Sequence, residues 1–226
     1  MSEVMTSEAI VEAEWLLAGY WAKPRFAFQT DNGAWSDVDV LAYHPELKRL
    51  VVSESKVRGP KNHVFAYTMQ TKKKYGSIIE YDGDNYFSYL RHLPILCRNG
   101  VVFEHFRKMV SSITVQLVCN YSVSADMKSE VSVTLNKKLD KSRIPCKARF
   151  QLDTTLDVIA RIIIAERKSA QGKRYGNPVL DIAREINRYF YPAVRYAGGG
   201  AQCTERVKRE MVAGFLNAIG LPKNET

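Results

Sequence analysis

The amino-acid sequence predicts an α/β core followed by a C-terminal helical extension. Three observations lead to this fold class: an amphipathic helix precedes two strands near the N-terminus, a long alternating strand lies near the middle, and the last third has helical periodicity. The 226 residues are enough for one well-packed core with a sizeable extension. Because no repeat and no low-complexity linker separates the two parts, we expect a core at 1–150 and an extension at 151–226 packed on it.

The N-terminal quarter predicts a helix, a short strand and a hairpin. Ser7–Gly19 is expected to be helical, because its serine can cap the first turn, apolar residues recur on one broad face and its glycine can end it. The segment Arg25–Gln29 is strand-like. Ser36–Tyr43 alternates as a strand, and Arg49–Lys56 is a second strand after a Pro-containing turn. We therefore expect the last two strands to form a hairpin.

Further elements follow from periodicity and from start and stop signals. In the middle of the chain we expect a helix at Asn62–Tyr75, a half-buried strand at Ile113–Ser124 and a strand at Val131–Leu135. In the last third we expect three helices: one at Leu156–Lys168, one that begins after Asn177-Pro178 and one that begins after a cap at Thr204. The stretch between Ile78 and Val110 is compatible with helix and with strand. The sequence thus leaves the middle of the core undefined.

Composition indicates an anionic partner. The formal net charge is +9, and nucleic acid is the commonest acidic partner of a basic cytosolic protein. Charge alone does not decide this, because a charge run is usually a solvated face. A protein partner that uses the positive charge, with the helical extension as its docking surface, remains an alternative.

Several classes of protein are excluded by what the sequence lacks. The longest apolar stretch, Ile159–Ala165, is interrupted by Arg161, and the acidic N-terminus has no secretory signal, so we expect a cytosolic protein without a membrane segment. The 4 cysteines form no CxxC pair and are expected to be free thiols. No phosphate-binding glycine loop, no GxSxG elbow and no HExxH string occurs.

Two carboxylates on the predicted hairpin point to metal chemistry. If Tyr43 pairs with Leu50, the register places Asp39 opposite Glu54, with Cβ atoms roughly 5 Å apart. Like charges at that separation are destabilising, so the pair requires a cation. Mg²⁺ binds one or two carboxylates, waters and phosphate oxygens, which suits these two side chains.

A lysine completes the set. In the same register Lys56 lies beside Asp37, and its ammonium can stabilise a developing hydroxide or the charged transition state of phosphodiester hydrolysis. We expect Asp37 to be a salt-bridge partner rather than a ligand. A Glu-x-Lys string alone is also typical of an exposed strand. The catalytic interpretation depends on its conjunction with a mid-strand aspartate, an acidic amphipathic helix and a basic charge balance.

The run Ser36-Asp37-Val38-Asp39-Val40-Leu41-Ala42, followed after a turn by Val51-Val52-Ser53-Glu54-Ser55-Lys56, resembles the PD-(D/E)XK, or restriction-endonuclease-like, nuclease superfamily. The resemblance covers roughly residues 8 to 120 and implies a mixed central sheet flanked by helices. It implies Asp39 and Glu54 as Mg²⁺ ligands, the carbonyl of Ser55 as a further ligand, and Lys56 as the lysine that assists the attacking water.

The resemblance also implies a glutamate on the helix before the hairpin. Glu8 and Glu12 lie one turn apart on the same face, and we favour Glu8 because of its spacing from Gly19. For phosphate contacts we select the lysines nearest in sequence to the proposed site, which are Lys61, Lys72, Lys73 and Lys74.

The sequence therefore predicts a Mg²⁺-dependent nuclease, with Mn²⁺ as a substitute and DNA favoured over RNA as substrate. The alternative is a non-catalytic nucleic-acid-binding module on the same fold. Many nucleases of this superfamily dimerise to cut two strands, so a homodimer is also an open alternative.

Overall fold

The computed structural model describes residues 6–56, 110–119, 125–141, 144, 146–168, 176–195 and 201–218. The chain divides into two compact units, Met1–Thr155 and Leu156–Thr226. The boundary expected at 150/151 falls inside a strand, Lys147–Thr154, that the sequence analysis missed. The helix expected at Asn62–Tyr75 lies outside the described residues. Within the described part of the chain, no helix is long and apolar enough to cross a membrane.

The first unit contains a mixed sheet. Its strands are β1 (Trp21–Gln29), β2 (Trp35–His44), β3 (Arg49–Lys56), β4 (Ser112–Cys119) and β5 (Lys147–Thr154). They lie side by side in sequence order; β1, β2 and β3 are antiparallel neighbours, whereas β3, β4 and β5 are parallel. The helices α1 (Thr6–Leu17) and α2 (Ala125–Asp140) flank the sheet. A mixed sheet flanked by helices was expected and is confirmed.

The hairpin register is also confirmed. Tyr43 pairs with Leu50, and the ladder continues to Val40 opposite Ser53. The β3 boundaries match the prediction. Because the side-chain period of a strand is two, this register decides which face each functional side chain occupies.

One face of the sheet is apolar and packs against α2. Its buried side chains include Leu50, Val52, Ile113, Val115, Leu117, Phe150 and Leu152. From α2, Leu135 and Leu139 join this core, one helical turn apart. The amide oxygen of Asn136 accepts a hydrogen bond of 2.8 Å from the backbone N–H of Phe150. The helix thus covers β5 as well as the centre of the sheet.

Two expectations for this region are wrong. Val131–Leu135, expected to be a strand, lies within α2: Val133 is 52% exposed while Leu135 is buried, which is a helical and not an alternating pattern. β4 is buried along nearly its whole length instead of half-buried, because strands pair with both of its edges and helices cover the sheet. The remainder of the strand expected to reach Ser124 lies outside the described residues.

The other face of the sheet is polar at its centre and packs against α1. The indole N–H of Trp15 donates to Ser53 Oγ at 3.2 Å and to Gln116 Oε1 at 3.0 Å. The helix ends as expected: Gly19 has a φ of 87°, and the backbone N–H of Tyr20 bonds back to the carbonyl of Trp15 at 2.9 Å. This termination directs the chain into β1.

The second unit is helical, as expected. Its helices are α3 (Thr155–Lys168, which begins at the last residue of the first unit), α4 (Pro178–Arg195) and α5 (Ala201–Ala218). The side chain of Asn177 accepts a hydrogen bond of 2.9 Å from the N–H of Val179, which confirms the expected start of α4. The cap at Thr204 is wrong, because α5 already begins at Ala201, a residue of high helix propensity.

Candidate active site

The candidate site lies just beyond the last paired residues of the β2–β3 hairpin. The observed ladder ends at Val40 opposite Ser53, so the expected pair of Asp39 and Glu54 lies one residue beyond it. The Oδ2 atom of Asp39 accepts a hydrogen bond of 2.6 Å from the backbone N–H of Ser55. Glu54 is only 8% exposed. The structure therefore holds two acidic residues on adjacent strands, one of them oriented by a backbone donor.

A third acid approaches from α1. Glu8 is completely buried, and its two carboxylate oxygens accept hydrogen bonds from Arg25 at 2.7 and 3.0 Å. This bidentate arrangement is the strongest interaction that an arginine and a carboxylate form. Glu8 is thus fixed at the start of α1, where the hydroxyl of Ser55 also donates to that of Ser7 at 2.7 Å.

Arg25 is the cation of this acid cluster, and the sequence analysis missed it. Its Nη1 atom lies 3.8 Å from Asp37. The hydrogen bond and charge of Glu8, followed by the charges of Asp37 and Asp39, raise the pKa of the Arg25 guanidinium. Asp37 is therefore a salt-bridge partner as expected, and its described partner is Arg25.

Arg25 lies in an irregular part of β1. The flanking residues pair regularly with β2, whereas Arg25 has a φ of 48°, in the left-handed region. The β1–β2 register, continued through this position, places Arg25 opposite Asp39. The sequence contained this information. Pairing the strand-like segment Arg25–Gln29 with the next strand would have placed an arginine opposite Asp39.

The structure distinguishes the two helix glutamates. Glu8 is buried against Arg25, whereas Glu12 is partly exposed and burial raises the pKa of its carboxyl. The favoured residue, Glu8, is the one that shares a cation with Asp37 and Asp39. Of Lys56 the structure describes the backbone, which ends β3 opposite Cys119, but not the side chain. Lys61, Lys72, Lys73 and Lys74 lie outside the described residues.

A buried polar network borders the cluster on the α1 face and was also missed. Gln116 is completely buried at the centre of β4. Its amide nitrogen donates to Asp153 at 2.9 Å and to Glu14 at 3.1 Å, while its oxygen accepts from Ser53 Oγ at 2.6 Å. The sequence could have indicated this network, because a glutamine within a strand of apolar residues is expected to be buried and a buried amide requires polar partners.

The carboxylates of the candidate site can be compared with the ligands that a metal ion requires. Among the described residues, no group of three or more His, Cys, Asp or Glu side chains could hold a metal ion. Mg²⁺ does not need one, since it is commonly held by one or two carboxylates while waters and substrate oxygens fill the remaining positions. Asp39 and Glu54 carry carboxylate oxygens, the type of donor that Mg²⁺ prefers.

The acids of the second unit have a different arrangement. Asp157 lies 2.6 Å from Lys208, and Glu166 lies 2.7 Å from Arg184, each pair joining two helices. Both acids are buried. Each cation also contacts an exposed acid on its own helix, since Lys208 lies 3.1 Å from Glu205 and Arg184 lies 3.4 Å from Asp181. These ion pairs therefore differ from the Arg25 cluster in joining helix to helix, whereas Arg25 joins α1 to the sheet.

No family model, curated protein or solved structure matches the chain. Residue roles therefore rest on the geometry of the chain itself.

Proposed function

We propose that the chain is a metal-dependent nuclease with a restriction-endonuclease-like core that hydrolyses phosphodiester bonds in DNA. The observation that supports the proposal is the position of Asp39 and Glu54 just beyond the β2–β3 ladder, where Asp39 Oδ2 accepts a hydrogen bond of 2.6 Å from the backbone N–H of Ser55. Glu8, a buried glutamate on the preceding helix, accepts hydrogen bonds from Arg25, whose pKa is also raised by the charge of Asp39. Acidic side chains from a helix and a hairpin, on a chain of net charge +9, suit a cation and a polyanionic substrate.

In this proposal, Asp39 and Glu54 would hold Mg²⁺, together with the carbonyl of Ser55. When bound, the ion would supply positive charge to the phosphate and lower the pKa of the attacking water. The N–H of Ser55 fixes the Asp39 carboxylate in one orientation, which reduces the reorganisation needed on binding. Lys56, two residues after Glu54, would assist the attacking water with its ammonium group.

Arg25 and Glu8 would have supporting roles. Arg25 offsets the mutual repulsion of Glu8, Asp37 and Asp39 while no divalent ion is bound. Glu8 would orient Arg25 or supplement the metal shell. Either role keeps the acids of the cluster close together.

The test of this function is cleavage of supercoiled, linear and single-stranded DNA, and of RNA, with Mg²⁺, with Mn²⁺ and with EDTA. We expect DNA cleavage that EDTA abolishes. Glu54→Gln and Lys56→Ala should each lower the rate by at least about 100-fold, the loss typical of removing one electrostatic group from an active site. The matched control is Glu46→Gln, an exposed acid in the turn of the same hairpin. Wild-type rates in both site variants would refute the assignment.

The guanidinium among the acids favours a second candidate, a nucleic-acid-binding module without catalysis. If Arg25 serves permanently as the cation, no divalent ion is needed. This candidate predicts DNA binding that weakens steeply with salt, no hydrolysis under any metal condition, and binding unchanged in Glu54→Gln. Sedimentation with and without a DNA duplex would also test the homodimer that paired cutting of two strands would use.

A further inference from the structure

A second polar site lies at the opposite ends of the parallel strands. A cavity of about 200 Å³ opens where β3, β4 and β5 begin. Its charged and hydroxyl-bearing lining residues are Arg49, Ser112, Thr114, Lys147 and Arg149. Among the described residues that line it, there is no carboxylate. The proposed metal ligand Glu54 lies near the other end of β3, so the two sites do not share a residue.

The parallel register arranges these side chains in two rows. Arg49, Ser112 and Lys147 are paired partners on adjacent strands and form the first row. Thr114 and Arg149 are paired in the same way and lie two residues further on, hence on the same face. With strands roughly 4.8 Å apart and residues of one face roughly 7 Å apart, the three cations surround a space the size of a small anion.

One of the cations is held in place. The Nε atom of Arg149 donates a hydrogen bond of 3.1 Å to the hydroxyl of Thr114, a residue that is only 7% exposed. Because Nε is engaged, the plane of the guanidinium is fixed and its terminal nitrogens remain as donors to a ligand. Arg49 and Lys147 are exposed at the cavity, so an incoming anion can reach their charges.

We propose that this cavity binds a phosphate group. Three positive charges, the hydroxyl of Ser112 and an oriented guanidinium provide donors from several directions, which matches the multiple oxygens and charge of a phosphate better than those of a single carboxylate. Mutual repulsion of the three cations is relieved when an anion enters. The proposal does not rest on nuclease activity.

The direct test is isothermal titration of the full chain with inorganic phosphate and with pyrophosphate at constant ionic strength. We expect saturable binding that weakens at least about tenfold in Arg149→Gln, since a charged hydrogen bond contributes about 1.5 kcal/mol or more. Thr114→Val, which keeps every charge but releases the guanidinium, should weaken binding by a smaller factor. Lys137→Gln, an exposed cation on α2, is the matched control and should leave the affinity unchanged.

A second arm identifies the source of the phosphate. Competition with a short single-stranded oligonucleotide is measured on the wild type and on Arg149→Gln. If the oligonucleotide displaces phosphate, and binds less tightly to the variant, the phosphate belongs to a polynucleotide backbone. If it does neither while phosphate still binds, the ligand is a small phosphorylated molecule. Absence of saturable phosphate binding, or equal affinities in the wild type and Arg149→Gln, overturns the proposal.

Discussion

The two ends of the parallel strands differ in charge and in burial, although they belong to the same face of one sheet. Along β5 the side chains of this face are Lys147, Arg149, Gln151 and Asp153, so the charge changes from positive to negative in a single strand. Lys147 and Arg149 are exposed at the beginning of the strand, whereas Asp153 is 5% exposed at its end. The basic end is accessible to solvent, whereas the acidic end is buried.

This difference predicts how each end responds to mutation. A buried polar group costs free energy unless it is hydrogen-bonded, so the acids are stable only together with the donors of Arg25 and Gln116. Exposed cations are solvated and need no partner. The acidic end should therefore be coupled to folding, whereas the basic end should affect ligand binding with little influence on stability.

The largest effect on stability is expected from Arg25→Gln. The variant leaves the completely buried Glu8 carboxylate without its guanidinium, and we expect the melting temperature to fall by more than about 5 °C. The double variant Glu8→Gln/Arg25→Gln should regain part of the loss, because it removes the buried charge. Lys23→Gln on the same strand is the control. Calorimetry that gives the single and double variants equal melting temperatures would contradict this account of Arg25.

The next effect is expected from Gln116→Leu. This change keeps the side-chain volume but removes the acceptor of Trp15 and a donor to Asp153, so the unfolding free energy should fall by about 3 kcal/mol. Urea denaturation measures the loss. Gln151→Leu removes a single described hydrogen bond to the same carboxylate and should cost about 1 kcal/mol. Equal losses in the two variants would mean that the network is not centred on Gln116.

Glu12→Gln should have a smaller effect whose size depends on pH. Burial raises the pKa of Glu12, so the folded state binds this proton more tightly than the unfolded state. Its contribution to stability is complete below the ordinary glutamate pKa of about 4.3 and is lost as pH rises through the raised value. Glu12→Gln should therefore melt higher than the wild type at pH 7, with a smaller difference at pH 4. The opposite trend would show that the carboxylate is stabilised in the fold.

The smallest effect is expected at the basic end. Arg49→Gln and Lys147→Gln alter exposed side chains, so each should change the unfolding free energy by less than about 0.5 kcal/mol. The same variants should weaken phosphate binding. If either variant unfolds as readily as Gln116→Leu, the cations are structural and the contrast between the two ends does not hold.

Local patterns were sufficient to predict the hairpin and its register. Alternation and a short turn determine an antiparallel pair, and the Tyr43–Leu50 pairing is observed. Parallel pairing has no such local signature, because its partners are distant in sequence. The strand β5 nevertheless alternates apolar Ala148, Phe150 and Leu152 with polar residues, so that element could have been identified.

The partners of Arg25 and Gln116 could not be identified from local patterns. Arg25 acts from a backbone conformation that non-glycine residues seldom adopt, and its partners come from α1 and β2. Gln116 joins Trp15, Ser53 and Asp153, which are brought together by tertiary packing alone. The positions of Asp39 and Glu54 followed from periodicity, whereas the side chains that stabilise this end of the sheet required the complete fold.

The irregular backbone at Arg25 has a consequence for self-association. β1 is an outer strand of the described sheet, and an uninterrupted outer strand is a template on which a second chain can add a strand. Pro24 has no N–H to offer such a strand, and the left-handed conformation of Arg25 breaks the extended backbone directly after it. The residue that neutralises the acids thereby also makes the outer edge of the sheet a poor site for edge-to-edge aggregation.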